Sequence, residues 1–270
     1  MKNFKVLRAV ALAAALFFSQ SASRALAMPA DVDVDQLTTR SGGFSDFIYE
    51  LRRNGLDVVL VIDGTGSMNL VINDFKAKMA QLVYSMHRLV PNARIGIVVF
   101  GGKGEKTRFQ PLTLSAEKLS TFLTIQAVAG GKSEDDIYDD RWAHDTYGAC
   151  ERAIETTDWK PDARKVVVLV GDSPPEKKEF NPLLELIHKF KDNKATFNTL
   201  YIAPKISPLP DFSLQIPAAY KVLASAGGGS MKSVTNSAKI DQQLLILAFG
   251  DQWRSQVEAF SSSLGSGGGQ

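Results

Sequence analysis

Three oxygen-bearing side chains follow one apolar run at alternate positions. Residues 57–68 read DVVLVIDGTGSM, so that single glycines separate Asp63, Thr65 and Ser67. In an extended or looped segment, alternate side chains tend to project to one side, and the glycines let the backbone curve tightly. One carboxylate and two hydroxyls are hard oxygen donors, which suit Mg²⁺, with Mn²⁺ or Ca²⁺ as substitutes. The spacing therefore favours a divalent-cation site, and the absence of a thiolate or an imidazole disfavours zinc and copper.

The predicted site carries little negative charge. A cation held there would keep water molecules in its coordination sphere, and an incoming carboxylate could replace one of them. The next helix should begin near Ser67, where its N-terminal dipole also favours an anion. Taken alone, however, the segment is also compatible with an Asp-Gly turn that holds no ion.

The elements that must position these residues alternate between strands and helices. Val58–Ile62, Arg94–Phe100 and Lys165–Pro175 contain continuous apolar runs, which are typical of parallel strands buried on both faces. The segment Thr107–Leu114 contains a proline and is expected to form a short edge strand. With apolar residues at helical spacing between them, these strands predict an α/β fold with a doubly wound, mostly parallel central sheet flanked by helices.

A second aspartate, Asp172, directly follows the strand that begins at Lys165. In doubly wound sheets, ligands bind beyond the carboxyl ends of the strands, at the point where the strand order reverses. We therefore expect Asp63 and Asp172 to lie together at this switch point, although they are far apart in the sequence.

These residues resemble the metal-ion-dependent adhesion site (MIDAS) of von Willebrand factor type A (VWA) domains, of the bacterial exported type. That family's first motif is Asp-x-Ser-x-Ser after an apolar strand, and residues 63–67 keep an oxygen at each of its three positions. Its last ligand is an Asp at the end of a later apolar strand, which Asp172 matches. The resemblance extends over roughly residues 55–260 and implies a VWA/Rossmann-like fold with one bound Mg²⁺, toward which Asp172 would act through water.

The loop between the second and third buried strands departs from the family pattern. The family places a Thr or an Asp there, and the nearest match in this chain is Ser133, with Asp135 or Asp136 as alternatives. The acidic stretch 134–145 suggests either the rim of a binding face or an acid-rich helix N-terminus. We therefore expect the metal ligands to be Asp63, Thr65, Ser67, Ser133 and Asp172.

The resemblance implies a protein-binding module rather than an enzyme: a partner's Glu or Asp would complete the coordination sphere of the ion. The alternative is a structural or scaffold subunit of a cell-envelope complex with a purely structural ion. A phosphatase of the haloacid-dehalogenase type is disfavoured because Val61 occupies the place of its nucleophilic Asp. The sequence GGKS at 130–133 does not complete a phosphate-binding P-loop because position 126 is Gln, and no Gly-x-Ser-x-Gly elbow is present.

The segments outside the domain are predicted from their composition. Residues 1–27 have a basic start, a short apolar run and the small-x-small ending ALA, which are typical of a secretory signal peptide. We expect a linker at 28–43, the VWA-like domain at 44–260 and a flexible tail at 261–270. The mature protein would be periplasmic or secreted, with no integral membrane segment after signal cleavage.

Charge and cysteine content set two further bounds. Loss of the four basic residues in 1–27 would leave 27 of the 31 Lys and Arg against 29 Asp and Glu. The mature chain would then have no excess of basic residues, and its charge does not indicate a nucleic-acid partner. Cys150 is the single cysteine, which excludes an internal disulfide. Its helical spacing from apolar neighbours predicts a buried thiol.

Overall fold

A computed structural model of the chain describes residues 43–101, 107–129, 145–191, 195–203, 212–235 and 239–266. The strands are β1 Leu56–Asp63, β2 Arg94–Phe100, β3 Arg108–Thr113, β4 Arg164–Gly171, β5 Ala195–Ile202 and β6 Gly228–Val234. The helices are α1 Phe44–Asn54, α2 Asn69–Leu89, α3 Ala116–Ala129, α4 Thr146–Glu155, α5 Lys177–Lys191, α6 Phe212–Ala226, α7 Ile240–Phe249 and α8 Arg254–Ser266. The architecture is the predicted one, an α/β fold with a mostly parallel central sheet flanked by helices.

The strands form one sheet in the order β3-β2-β1-β4-β5-β6. All neighbouring pairs are parallel except β2 and β3, so the proline-containing segment is an antiparallel edge strand, as predicted. From β1 the chain winds outward through β2 and β3, and from β4 it winds through β5 and β6 on the other side. The strand order therefore reverses between β1 and β4, which are hydrogen-bonded neighbours.

Every residue of β1 is buried, and alternate side chains enter two different layers. Leu60 and Ile62 pack in the larger cluster, with residues of α1, α2, α7 and α8. Val59 and Val61 pack in the second cluster, with residues of α4, α5 and α6, and this cluster also contains the free and fully buried Cys150. A strand covered on both faces explains the continuous apolar run, and the predicted burial of the thiol is confirmed.

The amino end of β1 carries a buried ion pair. Asp57 is fully buried, and its carboxylate accepts hydrogen bonds from Nε and Nη2 of Arg94 at 2.8 and 2.7 Å. The backbone N–H of Lys160 donates to the same carboxylate at 2.9 Å. This ion pair joins β1 to β2 at the amino ends of the two strands, opposite the end of β1 that carries Asp63.

The end of the described chain differs from our prediction. The sequence of residues 237–260 predicts a single closing helix, in which Gly250 is a weak point. In the structure, Gly250 has a φ of 108° and separates α7 from a 3-10 turn and α8. Helix α8 continues to Ser266 and buries Leu264, so residues 261–266, which we expect to belong to the tail, are helical in the structure. The predicted signal peptide and most of the predicted linker lie outside the described residues. None of the helices described here combines the length and apolar character that crossing a membrane requires.

Candidate metal centre

The structure brings Asp63 and Asp172 to neighbouring strand ends. Asp63 is the last residue of β1, and Asp172 directly follows β4. The parallel β1–β4 ladder pairs Ile62 with Val170, so both aspartates follow the carboxyl ends of their strands on the same side of the sheet. The Cβ atom of Asp63 lies 3.0 Å from the position that a Cβ atom would take on Gly171. Both aspartates therefore lie at the switch point, at the ends of two neighbouring strands.

The loop after β1 joins its three oxygen-bearing side chains by hydrogen bonds. Oδ1 of Asp63 accepts from the backbone N–H of Thr65 at 2.9 Å and from the Thr65 hydroxyl at 2.7 Å. The Thr65 hydroxyl also lies 3.2 Å from that of Ser67. Asp63 is 1% exposed, Thr65 is half-buried and Ser67 is exposed. The cluster therefore runs from a buried carboxylate outward to an accessible hydroxyl.

The two glycines of the motif have different surroundings. The N–H of Gly64 donates to the carbonyl oxygen of Phe100 at 2.6 Å, and a Cβ atom on Gly64 would lie 2.6 Å from Cγ1 of Val99. A Cβ atom on Gly66 would meet no heavy atom within 4 Å. Close approach to β2 therefore requires glycine at position 64, whereas position 66 faces open space.

The transition from the loop to α2 runs through a 3-10 turn at Gly66–Met68, close to the predicted helix start. The N–H of Met68 donates to the carbonyl oxygen of Thr65 at 2.9 Å, and the Met68 side chain is fully buried. Leu70, which follows within the first turn of α2, is 78% exposed. An exposed apolar side chain therefore stands close in sequence to the exposed hydroxyl of Ser67.

The segment after β4 is held by a residue that the sequence analysis did not single out. The hydroxyl of Ser173 donates to Oδ1 of Asp172 at 3.2 Å, and the hydroxyl of Tyr220 donates to the carbonyl oxygen of Ser173 at 3.1 Å. Burial raises the pKa of Tyr220 well above its ordinary value, and the charges of Asp63 and Asp172 add to this shift. In the sequence, Tyr220 gives no signal beyond that of an ordinary core residue in an apolar helix.

The third segment of the predicted site is not part of the described structure. Ser133 and the alternatives Asp135 and Asp136 lie outside the described residues. At the end of the acidic stretch, Asp145 accepts a hydrogen bond at 2.9 Å from the N–H of Gly148 and caps α4. Asp145 therefore lies at a helix N-terminus, which is one of the two alternatives expected for the acidic stretch.

The chemistry of the donor set fits a hard divalent cation. Asp63 and Asp172 offer carboxylate oxygens, and Thr65 and Ser67 offer hydroxyl oxygens. Within the described part of the chain, no group of three or more His, Cys, Asp or Glu side chains is placed to hold a metal ion. An ion at this loop would therefore depend on hydroxyl and water ligands, which Mg²⁺ commonly retains.

Comparisons with known proteins show the fold alone. No family model and no curated protein matches the chain. The conserved hypothetical protein BatB from Bacteroides thetaiotaomicron is 14% identical, with a TM-score of 0.50 over 77% of this chain and 100% of that chain. The pilus adhesin SpaC from Lactobacillus rhamnosus GG, in its open conformation, is 10% identical, with a TM-score of 0.52 over 76% of this chain and 30% of the adhesin. The SpRpn10 VWA domain is 15% identical, with a TM-score of 0.45 over 70% of this chain and 94% of that domain.

Proposed function

We propose that this chain is an exported protein-binding module in which a divalent cation, Mg²⁺ in the first place, captures a carboxylate group of a partner protein. Asp63, Thr65 and Ser67 would hold the ion directly, Asp172 would act through water, and Ser133 is the ligand expected from the loop outside the described residues. The observation that carries the proposal is the position of Asp63 and Asp172 at neighbouring strand ends of the switch point, with two hydroxyls of one loop beside Asp63.

The graded exposure of the cluster suits capture from solution. The buried end at Asp63 would fix the ion, and the exposed end at Ser67 leaves room for a partner. Because only Asp63 would contact the ion with a charged oxygen, the cation would keep positive charge and exchangeable water. A Glu or Asp side chain of a partner could then replace one water molecule and supply the missing negative charge.

The rim of the site offers apolar area in addition to charge. Leu70 is 78% exposed in the first turn of α2. A partner residue packed on Leu70 would add apolar burial to the ion contact at about 25 cal/mol per Å². We therefore expect the partner to present an acidic residue with an apolar neighbour.

Binding is proposed in place of catalysis because the motif lacks the nucleophile of the enzymes that it resembles superficially. In phosphatases of the Asp-Gly-Thr type, an Asp precedes the motif by two positions, where this chain has Val61. Val61 is also fully buried, so this position faces the core.

Calorimetric titration with Mg²⁺ tests the metal site. We expect the wild type to bind Mg²⁺ and Asp63→Asn to lose binding. Asp162→Asn, which alters an exposed acid in the turn before β4, should bind as the wild type does. At a hundredfold excess over Kd, Mg²⁺ should also stabilise the wild type by about 2.7 kcal/mol. If Mg²⁺ neither binds nor shifts the melting temperature of the wild type, the metal proposal is wrong.

Capture from envelope extracts tests the partner. The wild type should retain a protein that EDTA releases and that Asp63→Asn does not retain, and amidation of one Glu or Asp in the captured protein should abolish binding. If EDTA lowers stability strongly while capture persists, the ion has a structural role and the scaffold alternative applies.

A further inference from the structure

Tyr220 reaches the candidate metal centre from a helix that supplies none of its expected ligands. The residue lies in α6, and its side chain is 1% exposed. Its hydroxyl donates to the carbonyl oxygen of Ser173 at 3.1 Å. A Cβ atom on Gly171 would lie only 2.6 Å from the same hydroxyl. The phenol therefore contacts the residues immediately before and immediately after Asp172.

The backbone at Asp172 has left the sheet and needs another support. The β4–β5 ladder ends at the pair Gly171 and Tyr201, and α5 begins only at Lys177. Between these points, the hydrogen bond from Tyr220 holds the carbonyl group of Ser173. A group that fixes the chain next to Asp172 also restricts where the Asp172 carboxylate can lie.

Tyr220 is itself held firmly by its surroundings. Its carbonyl oxygen accepts a hydrogen bond at 3.0 Å from the hydroxyl of Thr199, which is fully buried in β5. Its ring packs edge-to-face on that of Tyr201, with the centroids 5.8 Å apart. Because a buried aromatic ring with these contacts has little freedom, its hydroxyl is a fixed donor.

We propose that Tyr220 is the positioning residue that fixes Asp172 at the metal site and couples occupancy of that site to helix α6. This inference rests on the proposed function. Coupling between two parts of a protein is reciprocal in free energy, so an ion that draws on Asp172 should stabilise α6, and an ordered α6 should strengthen ion binding.

The variant Tyr220→Phe removes the hydrogen bond and keeps the ring. Loss of one such bond should weaken Mg²⁺ binding about three- to tenfold, as measured by calorimetry. Tyr201→Phe is the matched control, since Tyr201 is also buried at 5% exposure and packs on the same ring. Burial and the charge of Asp172 raise the pKa of Tyr201 as well, but the carbonyl oxygen of Ser173 accepts its hydrogen bond from Tyr220. Tyr201→Phe should therefore weaken Mg²⁺ binding clearly less than Tyr220→Phe does.

Hydrogen exchange separates positioning from a general structural role. In the wild type, saturating Mg²⁺ should slow exchange of the α6 amides and of residues 172–175. In Tyr220→Phe, also saturated with Mg²⁺, the protection of α6 should be lost. Replacement of Tyr220 with 4-aminophenylalanine, whose N–H can donate to Ser173, should restore both the affinity and the protection.

The outcomes distinguish the two proposals. If the wild type does not bind Mg²⁺, both the proposed function and the role of Tyr220 are wrong. If the wild type binds and Tyr220→Phe binds equally well with the same protection of α6, only the role of Tyr220 is overturned. Equal weakening by Tyr220→Phe and Tyr201→Phe, or no rescue by the amino analogue, would also overturn it, because the effect would then come from loosened packing.

Discussion

Oδ1 of Asp63 accepts hydrogen bonds from both the backbone N–H and the hydroxyl of Thr65. Two donors from one residue restrict the orientation of the carboxylate and of the Thr65 side chain together. The loop therefore arranges its oxygen atoms through its own polar contacts, which lowers the entropy that an ion or a partner must remove on binding.

Substitutions at Thr65 should separate the role of its hydroxyl from the role of its shape. Thr65→Val keeps the branched shape and removes the hydroxyl, so we expect Mg²⁺ affinity to fall about tenfold or more. The loss of one hydrogen bond should also lower the free energy of unfolding by about 1 kcal/mol. Thr65→Ser keeps the oxygen and should stay near the wild type in both respects. Calorimetry and urea unfolding give these values, and full Mg²⁺ binding by Thr65→Val would exclude the hydroxyl as a ligand.

The two glycines of the motif should respond differently to alanine. In Gly64→Ala, the new methyl group would lie 2.6 Å from Cγ1 of Val99, which must move the loop away from β2. We expect this overpacking to cost about 1–3 kcal/mol of unfolding free energy and to weaken Mg²⁺ binding. Gly66→Ala places its methyl group in open space and should leave both quantities near the wild-type values. Similar behaviour of the two variants would contradict the loop geometry.

Removal of Arg94 should destabilise the fold and leave the candidate site intact. Arg94→Met leaves the fully buried carboxylate of Asp57 without its guanidinium partner. Breaking a buried ion pair from one side costs about 3–5 kcal/mol, which urea unfolding would measure. Because Asp57 and Asp63 lie at opposite ends of β1, Mg²⁺ affinity of the folded variant should not change. A change in affinity without a loss of stability would contradict this prediction.

The junction of α7 and α8 should contribute a pH-dependent part of the stability. Burial alone would raise the pKa of Asp251, but hydrogen bonds from Lys232 and Arg254 outweigh it and hold that pKa below its ordinary value of 3.8. A carboxyl group with a depressed pKa stabilises the fold above its ordinary pKa, and this contribution is lost as the pH falls through the lower folded value.

The variant Asp251→Asn tests this dependence. Its unfolding midpoint should lie below that of the wild type at neutral pH, and the difference should shrink as the pH falls below about 4. Asp162→Asn serves as the control with an exposed carboxyl group. A difference between wild type and Asp251→Asn that stays constant from neutral pH to pH 2 would contradict the assignment.

The sheet could be predicted from the sequence because strands covered on both faces are apolar at every position. The predicted strand Arg94–Phe100 has the observed bounds. The break at Gly250 could be predicted only as a weak point. The path of the chain after this glycine depends on packing against residues that are distant in the sequence. The ring centroid of Trp253 lies 5.4 Å from that of Phe44 and 5.5 Å from that of Phe47.

The candidate site could be predicted in part for a similar reason. Asp63 and Asp172 follow buried strands, and the rule that ligands bind at the switch point is enough to bring them together. Tyr220 could not be predicted, because its contact with Ser173 spans 47 residues and has no local pattern. Ser133 stays a prediction, as do the identity of the ion and the acidic partner residue.

The buried thiol of Cys150 makes the protein well suited to site-specific labelling. The side chain is 0% exposed, and burial raises its pKa far above the ordinary range, so the native thiol should not react with maleimides while the protein is folded. A cysteine introduced at an exposed position would then be the only reactive one in the chain. At Leu70, such a residue would carry a fluorophore beside the candidate site, and ion or partner binding could be followed without altering the core.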